Sequence, residues 1–427
     1  MFDAVVVGFG LAGAVCAAEL LRKGASVLIL DAASAEKAGG NSKISGGGFL
    51  SSSDRRGTVL YLKALGAESV MLEQWVEESQ NIVSIANQYG YRLEKRHSAK
   101  ADFPEVEGAN SIEKWGEELP GKRLKDLQTS VKSNGAVVVN GARVRSLRLD
   151  RLGRVDEVHF TRMNRKSVVR SRWGVVLCCG GSAATLRQSH APPLTLGSPF
   201  ARGDGARIAV SVGAVPHNHL SYCGPYYAFR YGRTVLGVTP SPLYKSYGRD
   251  YLLMDAESGR LIPQPDVSRH GWALSGSRGP FRQRLSRAIA VTSLASNSQE
   301  SVLGRDAGHA PGYLGFHHPE KAETSLRRAL VSIREDAIIA ETRSAIKKLG
   351  DAPFVGIPVE GAILNTQGGI TRGYGGKVWG IHGAIPGLFA AGELGSMFVG
   401  RYQGSGNLTD CLLSARWAAE ELLKRKA

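Results

Sequence analysis

The sequence predicts an α/β fold in which both ends of the chain build one nucleotide-binding domain around an inserted domain. Three observations predict it. An apolar strand runs into a Gly-x-Gly-x-x-Gly turn at residues 5–13. A second apolar segment rich in small residues lies near the other end, at residues 387–393. Between them, from about residue 217 to 345, the composition shifts towards Tyr, Pro, Arg and His.

The N-terminal segment has the order strand, glycine turn, helix, strand and acid. Gly8 permits the tight turn, Gly10 lets the backbone approach a pyrophosphate, and Gly13 lets the helix pack closely on the strand. The N-terminus of this helix offers free N–H groups and a positive dipole end to phosphates. The next strand ends in Asp31, which can accept hydrogen bonds from a ribose hydroxyl. The residues predicted to bind a dinucleotide here are Gly8, Gly10, Leu11, Ala12, Gly13, Asp31 and Ala32.

Composition favours a two-domain enzyme and argues against several other classes. A chain of 427 residues with 43% hydrophobic residues can bury a sizeable core. No apolar run reaches the ~20 residues of a membrane span, and no basic leader precedes the apolar N-terminal segment. The five cysteines are odd in number and lack metal-ligand spacing, so we expect no metal site and a reducing cytoplasm.

The net charge of +16 is the most unusual bulk property of the chain. Its Lys and Arg residues are dispersed, without a dense basic tract, so nucleic-acid binding is not expected. An acidic substrate or simply a basic surface explains the charge instead. The predicted partner is therefore a small molecule.

Periodicity predicts the remaining elements in chain order. Apolar positions three and four apart predict helices within residues 58–98. Strands are predicted at residues 137–139, 143–147 and 154–160, the last two forming a hairpin of the kind that covers the adenine in flavoproteins. A further strand ends before two adjacent cysteines, and an amphipathic helix is predicted over residues 408–423.

This order predicts a Rossmann-like FAD-binding domain of the glutathione-reductase type with an inserted α+β cap domain. The predicted FAD-binding domain is discontinuous and comprises residues 1–216 and 346–427. The predicted substrate-binding cap domain comprises residues 217–345.

Taken together, the motifs resemble the flavoprotein family that includes fumarate reductases, urocanate reductases and 3-ketosteroid dehydrogenases. The segments that carry the resemblance span nearly the whole chain and are residues 8–13 with Asp31, the Gly- and Ser-rich segment 39–48, Cys179-Gly180-Gly181, Gly203-Asp204-Gly205, Thr366-Gln367-Gly368-Gly369, residues 385–393 and Gly404-Ser405-Gly406-Asn407-Leu408. The resemblance implies a discontinuous FAD domain and a cap domain that closes over the isoalloxazine ring.

The resemblance and the chemistry of the residues imply which positions hold FAD. Ser42 and Ser45, with the N–H groups around them, can wrap the pyrophosphate and the flavin edge. Glu393 resembles the family's acidic residue that bonds the ribityl hydroxyls, and the start of the C-terminal helix would stabilise negative charge at the N1/O2 edge of the reduced ring. The segment has no His where respiratory fumarate reductases attach flavin, so we expect non-covalent FAD. Besides the N-terminal residues, those predicted to bind FAD are Gly40, Asn41, Ser42, Ser45, Gly46, Gly47, Val144, Cys179, Gly180, Gly181, Asp204, Gly392, Glu393, Gly406, Asn407 and Leu408.

Two departures from the fumarate reductase pattern argue against fumarate as the substrate. The His of the family's His-Thr-x-Gly-Gly motif is Asn365 here, and the Arg of its Asn-Arg-Leu-Gly-Gly-Asn motif is Gln403. A bidentate carboxylate clamp needs the guanidinium, whose charge Gln lacks.

The same segment, Tyr402-Gln403-Gly404-Ser405-Gly406, resembles the Tyr-Pro-Gly-Pro-Gly motif of ketosteroid dehydrogenases. The resemblance implies that the Tyr402 hydroxyl and the Gly406 N–H polarise a substrate ketone. Removal of the α-proton builds enolate charge, which two fixed donors stabilise. The β-carbon then gives a hydride to flavin N5, which leaves a conjugated enone.

The leading prediction is therefore an FAD-dependent dehydrogenase, or desaturase, that acts on CH–CH groups. It introduces a double bond α,β to the ketone of a cyclic substrate, and an external acceptor takes the electrons. Because the cap is short for a steroid enzyme, a smaller ketone is expected. A carboxylate on that ketone, matched to the Arg-rich cap, is left open.

Two alternatives stay open at this point. The predicted base is one of Tyr226, Tyr227 and Tyr231, since a buried Tyr beside a cation ionises more readily.

If Arg269 is a proton donor instead, the enzyme is an enoate reductase of the fumarate or urocanate type. Its electron donor would be separate, because the chain has no Cys-x-x-Cys-His haem site. A non-enzymatic flavin-binding protein is the third class, distinguished by a lack of turnover with ketones and enoates.

Overall fold

The computed structural model describes residues 1–97, 101–117, 120–185, 194–195, 197–217, 222–223, 226–231, 234–238, 252–255, 259–260, 288–293, 331–332, 344 and 354–426. The helices are α1 Leu11–Arg22, α2 Gly40–Lys43, α3 Arg55–Ala64, α4 Leu72–Ser79, α5 Ile82–Asn87, α6 Pro120–Ser133, α7 Asp204–Val210 and α8 Gly406–Leu423. The strands are β1 Phe2–Val7, β2 Val27–Asp31, β3 Gly48–Ser52, β4 Glu94–Lys95, β5 Ile112–Gly116, β6 Val137–Asn140, β7 Arg143–Leu149, β8 Val155–Arg162, β9 Arg165–Leu177, β10 Leu194–Thr195, β11 Pro216–His217, β12 Tyr222–Cys223, β13 Tyr226–Tyr231, β14 Thr234–Val238, β15 Leu252–Asp255, β16 Ala288–Ser293, β17 Val331–Ser332, β18 Phe354–Ile363, β19 Asn365–Thr366, β20 Gly369–Ile370, β21 Lys377–Gly380 and β22 Gly383–Ala390.

The chain divides into two compact units. Unit 1 comprises Met1–Thr185, Ser198–Tyr222 and Asn365–Ala427, and unit 2 comprises Leu186–Gly197 and Cys223–Leu364. Both ends of the chain therefore belong to unit 1. The predicted roles of FAD domain and cap domain, with bounds at 216/217 and 345/346, stay a prediction. The units divide the chain somewhat later, at 222/223 and 364/365.

The main sheet of unit 1 has the strand order β21-β22-β9-β1-β2-β6. Strands β22, β9, β1, β2 and β6 run parallel, whereas β7 and β8 extend the sheet antiparallel from β9. Buried apolar side chains fill the centres of β1 and β2 and the C-terminal ends of β9 and β22, as expected for parallel strands covered on both faces, whereas the edge strand β6 is only partly buried. Because the C-terminal strand β22 pairs with β9 beside β1, the two ends of the chain meet in one sheet.

Helices α1 and α8 pack against one another within unit 1. The two helices are lined with small buried residues such as Ala14, Ala17, Ala415 and Ala418. Small side chains let the helix backbones approach, so the N-terminal glycine turn and the start of α8 are parts of one packed body.

A second, antiparallel sheet of unit 1 has the order β3-β5-β4. Helices α3, α4 and α5 account for most of the region, residues 58–98, where periodicity predicts helices. Helix α3 begins earlier, at Arg55, and the end of the region holds the short strand β4 instead. Helix α3 begins at an N-cap, Asp54, whose side chain accepts a 2.6 Å hydrogen bond from the Gly57 N–H. Thr409 of α8 joins this sheet to the C-terminal helix, since its hydroxyl bonds both the N–H and the C=O of Leu50.

The described part of unit 2 is a sheet of the order β14-β13-β18-β16-β15, with β10 and β17 also paired to β18. The long strand β18 is its centre. Strands β13, β16 and β17 run antiparallel to it and β10 runs parallel.

The predicted α/β class is confirmed, and so are the predicted strands and helices of the N-terminal segment. The loop predicted for the Gly- and Ser-rich segment also differs from the structure, because Gly40–Lys43 forms a helical turn. Gly39 and Gly40 have φ of 123° and 56°, so two glycines supply the left-handed backbone that starts the turn. Among the helices that the structure describes, none combines the length and the apolar character needed to cross a membrane.

Candidate active site

In the glycine turn between β1 and α1, backbone atoms lie so close together that there is no room for side chains. A Cβ at Gly13 would lie 2.0 Å from the carbonyl oxygen of Gly8. A Cβ at Gly8, where φ is 103°, would lie 2.3 Å from the carbonyl oxygen of Cys178, directly after β9. These positions accept only glycine, so the turn keeps its bare backbone next to the N-terminus of α1.

Asp31, at the end of β2, is tied to this turn by backbone donors. Its Oδ2 accepts a 2.7 Å bond from the Phe9 N–H, and its Oδ1 accepts a 2.8 Å bond from the Ala33 N–H. Burial raises the pKa of this carboxyl, and the two N–H groups oppose that rise. A carboxylate has about four acceptor positions, so Asp31 keeps capacity for a ribose hydroxyl.

The Gly- and Ser-rich segment, residues 39–48, contacts the N-terminus of α1. Ser42 Oγ accepts a 3.2 Å bond from the Leu11 N–H. Ser45 Oγ donates to the Ser42 carbonyl at 3.1 Å and accepts from the Gly47 N–H at 3.4 Å. A Cβ at Gly46 would meet nothing within 4 Å, so the backbone there is open. The segment therefore places two Ser hydroxyls and an open backbone beside the N-terminus of α1, where a pyrophosphate is expected to bind.

Glu393 joins four separate parts of unit 1. Its Oε1 accepts bonds from the Thr366 N–H at 2.8 Å and the Thr366 hydroxyl at 3.1 Å, and its Oε2 accepts a 3.1 Å bond from Asn41 Nδ2. A Cβ at Gly181 would lie 2.2 Å from Oε1. Asn41 Oδ1 in turn accepts a 2.7 Å bond from the Ser198 N–H. Burial raises the pKa of Glu393, whereas the donors from Thr366, Asn41 and Gly181 lower it.

The predicted residues Cys179, Asp204 and Val144 lie in different environments. Cys179 Sγ donates to the Val7 carbonyl at 3.5 Å, and burial raises the pKa of this thiol to about 12. Asp204 pairs with Arg143 at 2.7 Å and with Arg207 at 2.8 Å. Val144 is buried in the core between the sheet and α7. Asp204 is thus engaged by two cations, a setting that its sequence motif alone does not reveal.

A cleft of about 390 Å³ opens beside Glu393 within unit 1. Its walls combine glycines, hydroxyls and two arginines. The lining residues are Gly180, Gly181, Ser182, Thr185, Arg202, Gly203, Ala206, Arg207, Val210, Pro216, Thr366, Gln367, Gly368, Gly369 and Leu394. Three of the segments that carry the family resemblance therefore contribute residues to a common cavity, namely 179–181, 203–205 and 366–369.

A buried ion pair holds the turn that carries Glu393. Both Nη2 contacts from Arg372 to the Asp410 carboxylate are 2.9 Å long, and both side chains are fully enclosed. Arg372 Nη1 donates to the carbonyls of Gly392 and Leu394, at 3.0 and 3.4 Å. Burial raises the pKa of Asp410, and the Arg372 guanidinium opposes that rise.

The loop that leads into α8 has an unusual backbone and unpaired polar atoms. Gly404 and Ser405 have φ of 68° and 66°, both left-handed, which is strained for Ser405. Tyr402 is 7% exposed and Gln403 is fully buried. Both amide atoms of Gln403 and the Oδ1 of Asn407 have no hydrogen-bond partner among the described residues. Leu408 follows as a buried residue of the first helical turn.

The predicted catalytic residues of unit 2 are only partly described. Tyr226, Tyr227 and Tyr231 all lie on β13, where Tyr226 pairs with Ala362 in the backbone register. Their side chains fall outside what the structure describes, and so does Arg269. The choice between these groups therefore stays a prediction.

Sequence reasoning missed the residues that support the site through long-range contacts. Thr366 bonds Glu393 and also accepts a 2.8 Å bond from the Ser182 N–H. The sequence places Thr366 in a motif of the resemblance but assigns it no role in the site. Arg372 and Asp410 lie 38 positions apart, and no local pattern links them. For Gln403, the available signal was its place in the Tyr402 to Gly406 segment.

These residues fit FAD. The glycine turn and the N-terminus of α1 face Ser42, and buried acids lie at the end of β2 and just after β22. Buried polar atoms at the start of α8 lack partners within the described chain. The set offers N–H groups for a pyrophosphate, carboxylates for hydroxyls and amide groups for a heterocycle edge. When bound, FAD supplies an acceptor for a hydride equivalent.

Comparison with known proteins agrees with this architecture. Residues 3–290 match the family model described as FAD dependent oxidoreductase, DAO. No curated protein sequence matches the chain significantly.

Three solved structures share the fold at low sequence identity. A 3-ketosteroid-Δ4-(5α)-dehydrogenase from Rhodococcus jostii RHA1, in complex with 4-androstene-3,17-dione, is 18% identical, with a TM-score of 0.66 over 99% of this chain and 96% of that one. A 3-ketosteroid Δ1-dehydrogenase from Sterolibacterium denitrificans is 14% identical, with a TM-score of 0.69 over 99% of each chain. A flavocytochrome c3 fumarate reductase is 17% identical, with a TM-score of 0.74 over 99% of this chain and 78% of that one.

Proposed function

The chain belongs to the FAD dependent oxidoreductase family, and from that premise we propose that it is a dehydrogenase that desaturates a cyclic ketone. The proposed reaction introduces a double bond between the carbons α and β to the carbonyl. This reaction is one specific case of the chemistry of FAD-dependent oxidoreductases. Two proteins of the same fold are named as 3-ketosteroid dehydrogenases, which supports a ketone as the substrate class.

The observation that carries the proposal is the loop from Tyr402 to Gly406. It places a largely buried phenol and the first N–H of α8 in one short segment, and its backbone is held in a left-handed turn at Gly404 and Ser405. Position 403 is a neutral amide, so the loop offers hydrogen bonds without a guanidinium. Neutral donors suit a ketone oxygen, whereas a carboxylate calls for a cation.

The direction of helix α8 favours stabilisation of negative charge at the substrate carbonyl. It is 18 residues long, and its positive end lies at Gly406. When the α-proton leaves the substrate, negative charge develops on the carbonyl oxygen. The Tyr402 hydroxyl and the Gly406 N–H are proposed to donate to that oxygen, and such fixed donors stabilise an enolate by a few kcal/mol.

Two hydrogens leave the substrate in the proposed reaction. The α-carbon gives a proton to a base on the protein, for which Tyr226, Tyr227 and Tyr231 are the candidates. Bound FAD, held by the residues described above, would supply the two-electron acceptor for the hydride equivalent that leaves the β-carbon. An external acceptor then has to reoxidise FAD. Its identity, and a carboxylate on the substrate, are left to experiment.

The direct test is anaerobic. Oxidised protein loaded with FAD is mixed with a panel of cyclic ketones, and the flavin absorbance is followed at about 450 nm. Bleaching by a saturated ketone, together with formation of the enone, is the expected result. Tyr402→Phe should slow bleaching by about 10²- to 10³-fold, since one oxyanion donor is lost.

The contrary result is equally clear. If no ketone bleaches the flavin while an unsaturated acid reoxidises the reduced protein, the enzyme is an enoate reductase. Acid precipitation of the same sample tests the flavin linkage. All FAD should appear in the supernatant if the cofactor is bound non-covalently.

A further inference from the structure

Gln403 is a buried amide with nothing in the described chain to bond. The residue is 0% exposed, and neither Nε2 nor Oε1 has a hydrogen-bond partner among those residues. An unpaired buried amide is costly, and native proteins rarely keep one. A donor and an acceptor left open on the same side chain indicate that a ligand completes them.

The direction of the Gln403 side chain is given by its neighbour. A Cβ at Gly406 would lie 1.8 Å from Gln403 Nε2, so the amide folds back over the first residue of α8. The absence of a side chain at Gly406 makes room for this contact. The amide is thereby held next to the N–H of the helix start, where Asn407 Oδ1 is also without a partner in the described structure.

The Nε2 and Oε1 atoms of Gln403 need different hydrogen-bond partners. Nε2 is a donor and needs a carbonyl or similar acceptor, whereas Oε1 is an acceptor and needs an N–H or O–H. A simple ketone satisfies only the first. A planar edge that carries a carbonyl beside an N–H satisfies both at once, through two parallel hydrogen bonds.

We propose that Gln403 is a ligand-binding residue that pairs through both amide atoms with an edge carrying a hydrogen-bond acceptor next to a donor, such as a lactam. Two sources offer this chemistry at the site. The pyrimidine ring of the flavin has an O=C–N–H edge, and a substrate that is a lactam, an amide or an enolised dione has another. The second source rests on the proposed function and would narrow its substrate class.

The experiment compares the wild-type protein with Gln403→Met, which keeps the length of the side chain and removes both polar atoms. Gln403→Glu is the second variant, because it keeps an acceptor and loses the neutral donor. Three quantities are measured for each holoprotein or reconstituted apoprotein. They are the dissociation constant of FAD, the flavin midpoint potential and the affinities of 2-piperidone and cyclohexanone, a lactam and a ketone of equal ring size.

If the substrate supplies the edge, wild-type protein binds 2-piperidone about tenfold more tightly than cyclohexanone. Gln403→Met then abolishes that preference and leaves FAD affinity and potential unchanged, as expected for the loss of two neutral hydrogen bonds. If the flavin supplies it, Gln403→Met weakens FAD about tenfold and shifts the midpoint potential, without any lactam preference in the wild type.

The proposal is overturned if Gln403→Met matches the wild type in FAD affinity, midpoint potential and lactam preference. A merely structural role is excluded separately. The apoprotein of Gln403→Met should be at least as stable to urea as the wild type, since two unpaired polar atoms are removed. A less stable apoprotein with unaltered ligand binding also contradicts the proposal.

These measurements are independent of turnover. If ketones bleach the flavin but Gln403→Met changes neither FAD binding nor lactam preference, the proposed dehydrogenase activity is supported and the proposed role of Gln403 is contradicted. If no ketone reacts but the FAD or lactam effects appear, the role of Gln403 stands and the proposed reaction falls.

Discussion

Asp31 ends β2 and Glu393 lies three residues after β22, another strand of the same sheet, but the two acids are held in different ways. Asp31 accepts from backbone N–H groups 22 and 2 positions away, within one strand–helix–strand unit. Glu393 accepts from Asn41, 352 positions away, and from Thr366, 27 positions away. The first site is made locally by chain geometry, whereas the second exists only when distant segments have assembled.

The support beneath the two acids differs as well. The turn beside Asp31 is fixed by glycines whose Cβ atoms would collide with backbone. The turn that carries Glu393 is fixed by the Arg372–Asp410 ion pair and by bonds from Arg372 to two carbonyls. Steric exclusion needs no partner residue, but an ion pair fails when either member is removed. The C-terminal half of the site is therefore the more vulnerable one.

The largest expected effect comes from breaking the ion pair. Arg372→Met leaves the Asp410 carboxylate buried without its cation, and we expect unfolding free energy to fall by about 3–5 kcal/mol. FAD affinity should fall with it, because the Gly392 and Leu394 carbonyls lose their donor. Urea denaturation and FAD titration measure the two effects.

The matched control removes both charges. Arg372→Met combined with Asp410→Leu should recover most of the lost stability, since a buried pair replaced by apolar side chains is often neutral. A single variant that loses less than about 1 kcal/mol, or a double variant no better than the single, would contradict a supporting role for the pair.

A smaller effect is expected at the N-terminal turn. Gly13→Ala places a Cβ 2.0 Å from the Gly8 carbonyl oxygen, so the backbone has to shift. We expect a loss of about 1–3 kcal/mol in unfolding free energy and weaker FAD binding. Thermal denaturation and flavin fluorescence on titration report both.

Gly24→Ala is the control for this substitution. Gly24 also has a left-handed φ, 77°, but its Cβ would meet nothing within 4 Å. It should therefore lose only about 1–2 kcal/mol from backbone strain and keep full FAD affinity. Equal loss of FAD affinity in both variants would show that the close packing at Gly13 has no special role.

The contrast explains how far the sequence could predict this molecule. The β1–α1–β2 unit and its glycines follow from local spacing, because each residue acts on neighbours within one supersecondary motif. Thr366, Arg372 and Asp410 could not be predicted, since their partners are set by tertiary packing. The Tyr402 to Gly406 segment lies between these cases: its pattern was recognised, but the enclosure of Gln403 by Gly406 required the assembled structure.

The smallest expected effect is on the pH dependence of stability and concerns the raised pKa of Glu393. Because burial raises the pKa of Glu393, the Glu393 carboxyl keeps its proton to a higher pH in the folded apoprotein than in the unfolded chain. Its contribution to stability is fully present below the ordinary glutamate pKa and is lost as the pH rises through the raised value. Glu393→Gln removes this contribution, so urea stability of the apoprotein should fall less steeply with rising pH. Asp31 and Asp410 also have raised pKa values and remain in the variant, so part of the slope persists. An unchanged slope would mean that the long-range donors from Asn41 and Thr366 already offset the burial of Glu393, as the backbone donors do more locally at Asp31.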